Sequence, residues 1–136
     1  MEFSRFNRVL YVNLPIDQRT LINYRDDPDM IKRLKFRKRS EYLFPIAPNL
    51  WNLYPENIIR SVNWLPFTWL FRIFNRWNNK IFSRDILKAI RELSFKDFIL
   101  FNDSDMFRSY HLDEMLKPVV SIYYSRDNLM AQKYWF

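Results

Sequence analysis

Glycine and cysteine are both absent from this chain of 136 residues, and histidine occurs once, at His111. Average glycine usage of about 7% would give roughly ten glycines at this length. Without glycine the chain cannot form the glycine-rich loops that let a nucleotide phosphate approach the backbone. Without cysteine there is no disulfide, no cysteine-ligated zinc and no cysteine nucleophile, and one histidine excludes a site built from several.

Long apolar runs are also missing. No stretch of about 18 apolar residues occurs, so the sequence predicts no transmembrane helix. The first residues lack the apolar run after a basic start that marks a signal peptide, so none is predicted. Turns that glycine usually makes must use proline, asparagine, aspartate or serine instead.

Aromatic and basic residues are plentiful. Hydrophobic residues make up 49% of the chain and aromatic residues 19%, which favours one folded domain over residues 1–136. Lysine and arginine outnumber aspartate and glutamate by 22 to 15. The net charge of +7 favours anionic partners such as nucleic acid, a phosphorylated substrate or a membrane surface. The alternative is a basic surface that serves solubility alone.

Strands and helices alternate along the chain. The order predicts an α/β fold, a Rossmann-like and mostly parallel sheet flanked by helices, with a short antiparallel hairpin. Ser83 is the predicted N-cap of the second long helix, and residues 16–40 are predicted to be a long polar connection around one short helix. The predicted elements are a strand at 9–12, a helix from Pro28, a hairpin of 42–44 with 50–54, helices at 63–82 and 83–93, a strand at 98–101, a helix at 111–117, a strand at 119–124 and a helix at 129–136.

Polar residues follow three of the predicted strands. They are Asn13, then Asn102-Asp103-Ser104-Asp105, then Ser125-Arg126-Asp127-Asn128. Because open parallel sheets bind ligands outside the carboxyl ends of their strands, these residues are candidate site residues. Their alternative role is turn formation, which asparagine and aspartate both favour.

The carboxylates of Asp103, Asp105 and Asp127 suggest a magnesium site, because Mg²⁺ prefers oxygen ligands. Receiver domains that bind Mg²⁺ at strand ends also need acidic residues directly after the first strand. Here that position is Asn13-Leu14-Pro15. The sequence therefore predicts no metal site and no cofactor.

Aromatic side chains lie among basic ones in the region 64–82. An apolar face with a basic flank is typical of a helix that lies on a membrane surface. The predicted membrane-facing residues are Trp69, Arg72, Arg76 and Lys80. The alternative is that the aromatic stripe packs in the core, where Phe67, Leu70 and Phe74 are expected in either case. The basic run at 32–39 either binds phosphates or forms a solvated face.

Four motifs in order give the chain a family resemblance. They are Asn13-Leu14-Pro15 after the first strand, Asn49-Leu50-Trp51-Asn52-Leu53-Tyr54-Pro55, Phe101-Asn102-Asp103-Ser104-Asp105 and Ile122-Tyr123-Tyr124-Ser125-Arg126-Asp127. Together they resemble the N-terminal half of bacterial group-1-like glycosyltransferases with the GT-B fold. The resemblance covers nearly the whole chain.

The resemblance implies a function for one half of an enzyme. GT-B enzymes have two Rossmann-like domains facing a cleft; the N-terminal one binds the acceptor and the C-terminal one the nucleotide-sugar donor, without a tightly held metal. This chain matches only the first, so a C-terminal donor-binding domain is an expected partner and the chain alone is expected not to catalyse. The ending at Lys133-Tyr134-Trp135-Phe136 fits a cut inside a longer polypeptide.

Roles for single residues follow from the same resemblance. A carboxylate or histidine of the N-terminal domain acts as general base on the acceptor hydroxyl, and Asp127 is the best match, with Asp103 second. The expected acceptor contacts are Asn13, Asn102, Asp105 and Arg126. The resemblance implies that the acceptor is a saccharide of surface polysaccharide synthesis, free or lipid-linked. It also implies that the protein lies in the cytoplasm or on the inner face of the cell membrane. The alternative, ranked below it, is a non-enzymatic basic α/β module that binds nucleic acid or another anionic partner.

Overall fold

The computed structural model describes residues 2–62 and 65–125 and has a mixed α/β fold, as the sequence predicts. The predicted helix at 129–136 lies outside the described residues. The elements in chain order are a 3₁₀ helix at Glu2–Arg5, β1 (Val9–Val12), α1 (Gln18–Asn23), α2 (Pro28–Lys38), β2 (Leu43–Ala47), β3 (Leu50–Leu53), α3 (Thr68–Glu92), β4 (Ile99–Asp103), α4 (Leu112–Leu116) and β5 (Val120–Tyr124).

The first three strands form one mixed sheet in the order β1-β3-β2. β1 pairs with β3 in parallel, and β2 pairs with β3 in the antiparallel hairpin that the sequence predicts. Pro45 lies in β2, on the edge of the sheet, where the missing N–H breaks no ladder. The hairpin turns through Asn49 at φ 62°, a left-handed conformation that asparagine adopts more readily than most residues.

The last two strands form a separate sheet. β4 and β5 pair in parallel from Ile99 and Val120 to Asp103 and Tyr124. The five described strands therefore form two small sheets and not the one mostly parallel sheet that was expected. Hydrophobic patterning locates each strand, but it carries no information on which strands exchange hydrogen bonds.

The central helix α3 is continuous, so the prediction of two helices that meet at Ser83 is wrong. The Ser83 side chain is buried inside α3, and its hydroxyl donates to the carbonyl of Lys80 at 3.0 Å. A serine that bonds back to its own helix in this way does not interrupt it. Neither glycine nor proline occurs between Thr68 and Glu92, so nothing in this span ends the helix.

Two helices occupy the region predicted to be a long connection. α2 begins at Pro28, as predicted, and Asp27 caps it by accepting from the N–H groups of Asp29 and Met30. α1 was not predicted. It has six residues, none of them buried, so it lacks the apolar periodicity that reveals a helix in a sequence.

The core lies where the C-terminal half of α3 meets the first sheet and α4. Leu53 of β3 is fully buried there, with Phe82, Ile86 and Ala89 of α3 and Leu112 and Leu116 of α4. Each large apolar side chain buried in this way stabilises the fold by about 1.5–3 kcal/mol. The N-terminal half of α3 buries polar residues instead, and it leads to the cleft described next.

Candidate functional site

A cleft of about 550 Å³, lined by both polar and apolar residues, opens beyond the carboxyl ends of β1 and β4. Its walls come from the segment after β1, from α1, from residues 59–62, from α3 and from residues 103–108. Three carboxylates and three guanidinium groups belong to residues on these walls: Asp17, Asp103, Asp105, Arg19, Arg60 and Arg108. A cleft with both charges and many amides offers hydrogen-bond donors and acceptors side by side.

Asp17 joins two walls of the cleft. One carboxylate oxygen accepts from the N–H of Thr20 at 3.0 Å and from the hydroxyl of Ser61 at 2.6 Å, and the other lies 3.6 Å from the guanidinium of Arg108. Burial alone would raise the pKa of Asp17, but the hydrogen bonds from Ser61 and Thr20 and the charge of Arg108 together lower it. Asp17 is therefore ionised at neutral pH and fixes the N-terminus of α1 to residue 61.

Buried asparagines of α3 hold two further walls. The amide of Asn78 donates to the carbonyl of Arg60 at 2.7 Å and accepts from its N–H at 2.9 Å. Asn79 accepts from the N–H of His111 at 2.9 Å and donates to the carbonyl of Phe107 at 3.2 Å. Neither asparagine is among the site residues that the sequence predicts. One feature of the sequence could have revealed them. Asn75, Asn78 and Asn79 share one face of a helix, at positions where apolar residues are expected.

Asn102 and Asp105 build the turn after β4. The amide of Asn102 donates to the carbonyl of Asp105 and to the hydroxyl of Ser109, at 2.8 and 2.7 Å. One oxygen of Asp105 accepts from the N–H groups of Phe107 and Arg108, both at 3.0 Å. The other Asp105 oxygen is buried and has no hydrogen-bond partner. These contacts are the turn chemistry that the sequence analysis named as the alternative, and Asp105 also lines the cleft.

The remaining predicted site residues lie in three different places. Asp103, the last residue of β4, is exposed and lines the cleft. Asn13 donates to the Asn52 side chain and the Leu53 carbonyl, at 2.5 and 2.9 Å, so its amide ties β1 to β3 and is not on the cleft wall. Arg126 and Asp127, the first choice for the general base, lie outside the described residues.

A half-buried arginine lies behind the cleft. Arg33 of α2 donates to the carbonyl of Leu14, a residue on the cleft wall. Burial lowers the pKa of Arg33, and the nearby charge of Arg108 lowers it further. Its Nε is buried without a hydrogen-bond partner. Within residues 2–62 and 65–125, no three acidic or histidine side chains are grouped so that they could hold a metal ion.

The outward face of α3 carries all four predicted membrane-facing residues, and all four are exposed. Trp69 is 60% exposed, so the alternative in which this tryptophan packs in the core is wrong. Phe67, expected in the core, is 56% exposed because it precedes the first turn of α3, whereas Leu70 and Phe74 are half-buried. In the part of the chain that the structure covers, no helix is both long and apolar enough to cross a membrane.

Arg76 of this face is paired with a carboxylate of α4. Its guanidinium forms two hydrogen bonds with Glu114, at 3.1 and 2.5 Å. This pairing raises the pKa of Arg76 and lowers the pKa of Glu114. Both side chains are more than half exposed, so the pair contributes little to stability.

The fold is a mixed α/β domain with a cleft at the carboxyl ends of two strands. Comparisons with models of protein families, with curated proteins and with solved structures find no match to this chain.

Proposed function

We propose that this chain is the acceptor-binding domain of a GT-B glycosyltransferase, which moves a sugar from a nucleotide-sugar donor to a saccharide in surface polysaccharide synthesis. The main structural support for the proposal is the cleft beyond β1 and β4. Two of the motifs that resemble the glycosyltransferases, 13–15 and 101–105, lie at its edge and contribute Leu14, Asp103 and Asp105 to its walls.

The chemistry of the cleft suits a saccharide. Sugar hydroxyls both donate and accept hydrogen bonds, and the cleft offers carboxylates, guanidinium groups and amides within one volume. Tyr24 and Phe107 add aromatic surface to the same walls. A volume of about 550 Å³ falls in the range of ligand pockets, which run to about 300–1,000 Å³.

The proposal includes a Rossmann-like fold for this domain. Both parallel strand pairs have helices between their strands along the chain: α1 and α2, followed by the edge strand β2, between β1 and β3, and α4 between β4 and β5. Such strand-helix-strand units are the parts of which Rossmann-like domains are built. On this basis we propose a Rossmann-like domain, although its two sheets are not hydrogen-bonded to each other in the described residues.

The reaction needs a base at the cleft. The acceptor hydroxyl forms a bond to the anomeric carbon of the donor sugar, the bond from that carbon to the nucleotide phosphate breaks, and the base accepts the hydroxyl proton. A carboxylate at a strand end is held rigidly enough for this role. Among the described residues, Asp103 has this position. Asp127, the first choice from the sequence, lies outside the described residues and stays a candidate.

Saccharide binding by the whole chain tests the proposal. The intact chain is applied to an array of bacterial oligosaccharides, and a ligand found there is measured by calorimetry. We expect the double substitution Arg19→Gln with Asp103→Asn to weaken binding at least about tenfold, because two charge-assisted hydrogen bonds contribute about that much or more. The matched control is Lys38→Gln with Asp26→Asn, which removes the same charges at exposed positions outside the cleft.

Three results would overturn the proposal. They are the absence of any saccharide ligand, equal loss in the control variant, and tight binding of a nucleotide sugar by this chain alone. Binding to random-sequence DNA that falls steeply with salt would favour the alternative of a nucleic-acid-binding module.

A further inference from the structure

An exposed apolar stripe runs along α3. Trp69, Ile73 and Trp77 are spaced four residues apart and are 60%, 55% and 51% exposed. Side chains at this spacing lie on one face of a helix and extend over about 12 Å of its length. We call these three residues the α3 stripe. Phe67, just before the helix, continues the exposed apolar surface.

Cations flank the stripe. Arg72, Arg76, Lys80 and Arg84 repeat at the same four-residue spacing, one row beside it, and all four are exposed. Residues 68–84 contain these four cations and no carboxylate. Arg76 is paired with Glu114, whereas Arg72, Lys80 and Arg84 form no ion pair within the described residues. The helix therefore presents aromatic and positively charged surface together.

The stripe adjoins the cleft. The guanidinium of Arg60, a residue of the cleft wall, lies 4.9 Å from the ring centre of Trp77 and 5.2 Å from that of Phe74. Asn75 and Asn78, on the inner side of the same turns of α3, line the cleft itself. Whatever covers the stripe is consequently close to any ligand in the cleft.

We propose that the α3 stripe is a docking surface for a bilayer that contains anionic lipid. Tryptophan is suited to the boundary between headgroups and acyl chains, where its ring is buried and its N–H stays near water. The cation row, in which Arg72, Lys80 and Arg84 form no ion pair within the described residues, complements the negative charge of such a surface. Cations next to an apolar stripe are the pattern of an interfacial helix. The proposal rests on this surface alone and not on the proposed transferase function. If both hold, the bilayer lies beside the cleft that receives the acceptor.

Vesicle co-sedimentation of the whole chain is the test. Vesicles of phosphatidylcholine, with or without phosphatidylglycerol, are compared at low and high salt. We expect binding that needs phosphatidylglycerol and weakens with salt. The triple substitution Arg72→Gln, Lys80→Gln, Arg84→Gln should reduce partitioning on the order of 100-fold, since each cation near an anionic surface contributes about fivefold.

A matched control separates the stripe from net charge. The triple substitution Lys35→Gln, Lys38→Gln, Arg39→Gln removes the same charge from exposed residues in and next to α2. We expect it to reduce partitioning much less than the α3 variant does. An equal reduction would show adsorption by overall charge and would overturn the proposal.

Insertion of the aromatic side chains needs its own measurement. Phosphatidylglycerol vesicles with brominated acyl chains quench tryptophan emission when indole rings enter the bilayer. We expect quenching by the whole chain, and a marked reduction of it in the Trp69→Ala, Trp77→Ala variant. Both residues are exposed, so the variant should keep its fold, which circular dichroism checks.

Two further outcomes would contradict the proposal. Binding without any quenching would mean that charge alone holds the chain on the vesicle. A dimer in sedimentation equilibrium that dissociates in the Trp69→Ala, Trp77→Ala variant would mean that a second copy covers the stripe instead.

Discussion

At the residue scale, left-handed backbone positions show how the chain turns without glycine. Among the described residues six have positive φ, and they are Ser40, Asn49, Ser94, Asp97, Ser104 and Lys117. Asparagine and aspartate visit this region more easily than most residues, because their short side chains bond locally. A chain without glycine predicts turns of proline, asparagine, aspartate or serine, and Lys117 is the exception. It is the C-cap of α4, a position that glycine most often occupies.

A buried carboxylate on α3 gives a prediction about pH. Burial raises the pKa of Asp85, although its oxygens accept from the N–H and the side-chain amide of Asn57 at 3.0 and 2.5 Å. Between the unfolded pKa and the raised folded pKa, the native state binds more protons than the unfolded state does. The contribution of Asp85 to the free energy of unfolding therefore decreases as the pH rises through that window.

Substitution of Asp85 by asparagine isolates this contribution. We measure urea unfolding of the wild type and of Asp85→Asn over a range of acidic pH. We expect the wild type to gain stability relative to the variant as pH falls from the raised pKa toward 3.8, the ordinary value for aspartate. A constant difference between the two proteins would mean that Asp85 titrates normally.

At the scale of elements, α3 is both the core helix and the outer surface helix. Its C-terminal half packs Phe82, Ile86 and Ala89 into the core, and its N-terminal half carries the stripe outside and the buried asparagines inside. Continuity between the halves fixes the stripe relative to the cleft. If the helix were broken at Ser83, the orientation of one half of α3 would no longer fix that of the other.

Proline at position 84 tests that continuity. Within one long helix, Arg84→Pro removes a hydrogen bond and clashes with the preceding turn, so we expect a loss of about 3 kcal/mol or more in the free energy of unfolding. If a second helix began at Ser83, residue 84 would be its first position, where proline is favoured. Arg84→Ala is the control and should change stability little, because Arg84 is exposed. Near-wild-type stability of the proline variant would contradict a continuous α3.

At the scale of the whole molecule, the chain has a cleft with charged and amide side chains on its walls but none of the glycine-rich loops that nucleotide phosphates need. On the proposed function, we therefore expect the chain by itself to fold and to transfer no sugar. The measurement is incubation with a panel of nucleotide sugars and with a saccharide that the cleft binds, followed by analysis of the products. Turnover by the chain alone would contradict this prediction.

The sequence by itself determined the positions of most elements. The strand at 9–12, the hairpin, the start of α2 at Pro28, and α4 with β5 all follow from patterns of four to ten neighbouring residues, and the structure confirms them. Such local patterns work because backbone preference, capping and side-chain alternation act between residues close in the chain. The candidate site was predicted only in part. Asp103 and Asp105 do line the cleft, because strand ends are visible in the sequence.

Only the tertiary structure decided how these elements combine. Which strands pair, whether α3 continues through Ser83 and whether Trp69 faces solvent all depend on contacts between residues far apart in the chain. The cleft is the clearest case, because Asp17 meets Ser61 and Arg108, and Asn78 holds Arg60, across separations that no local pattern records. Buried amides are favourable only where their hydrogen-bond partners arrive, and those partners are brought by the rest of the fold.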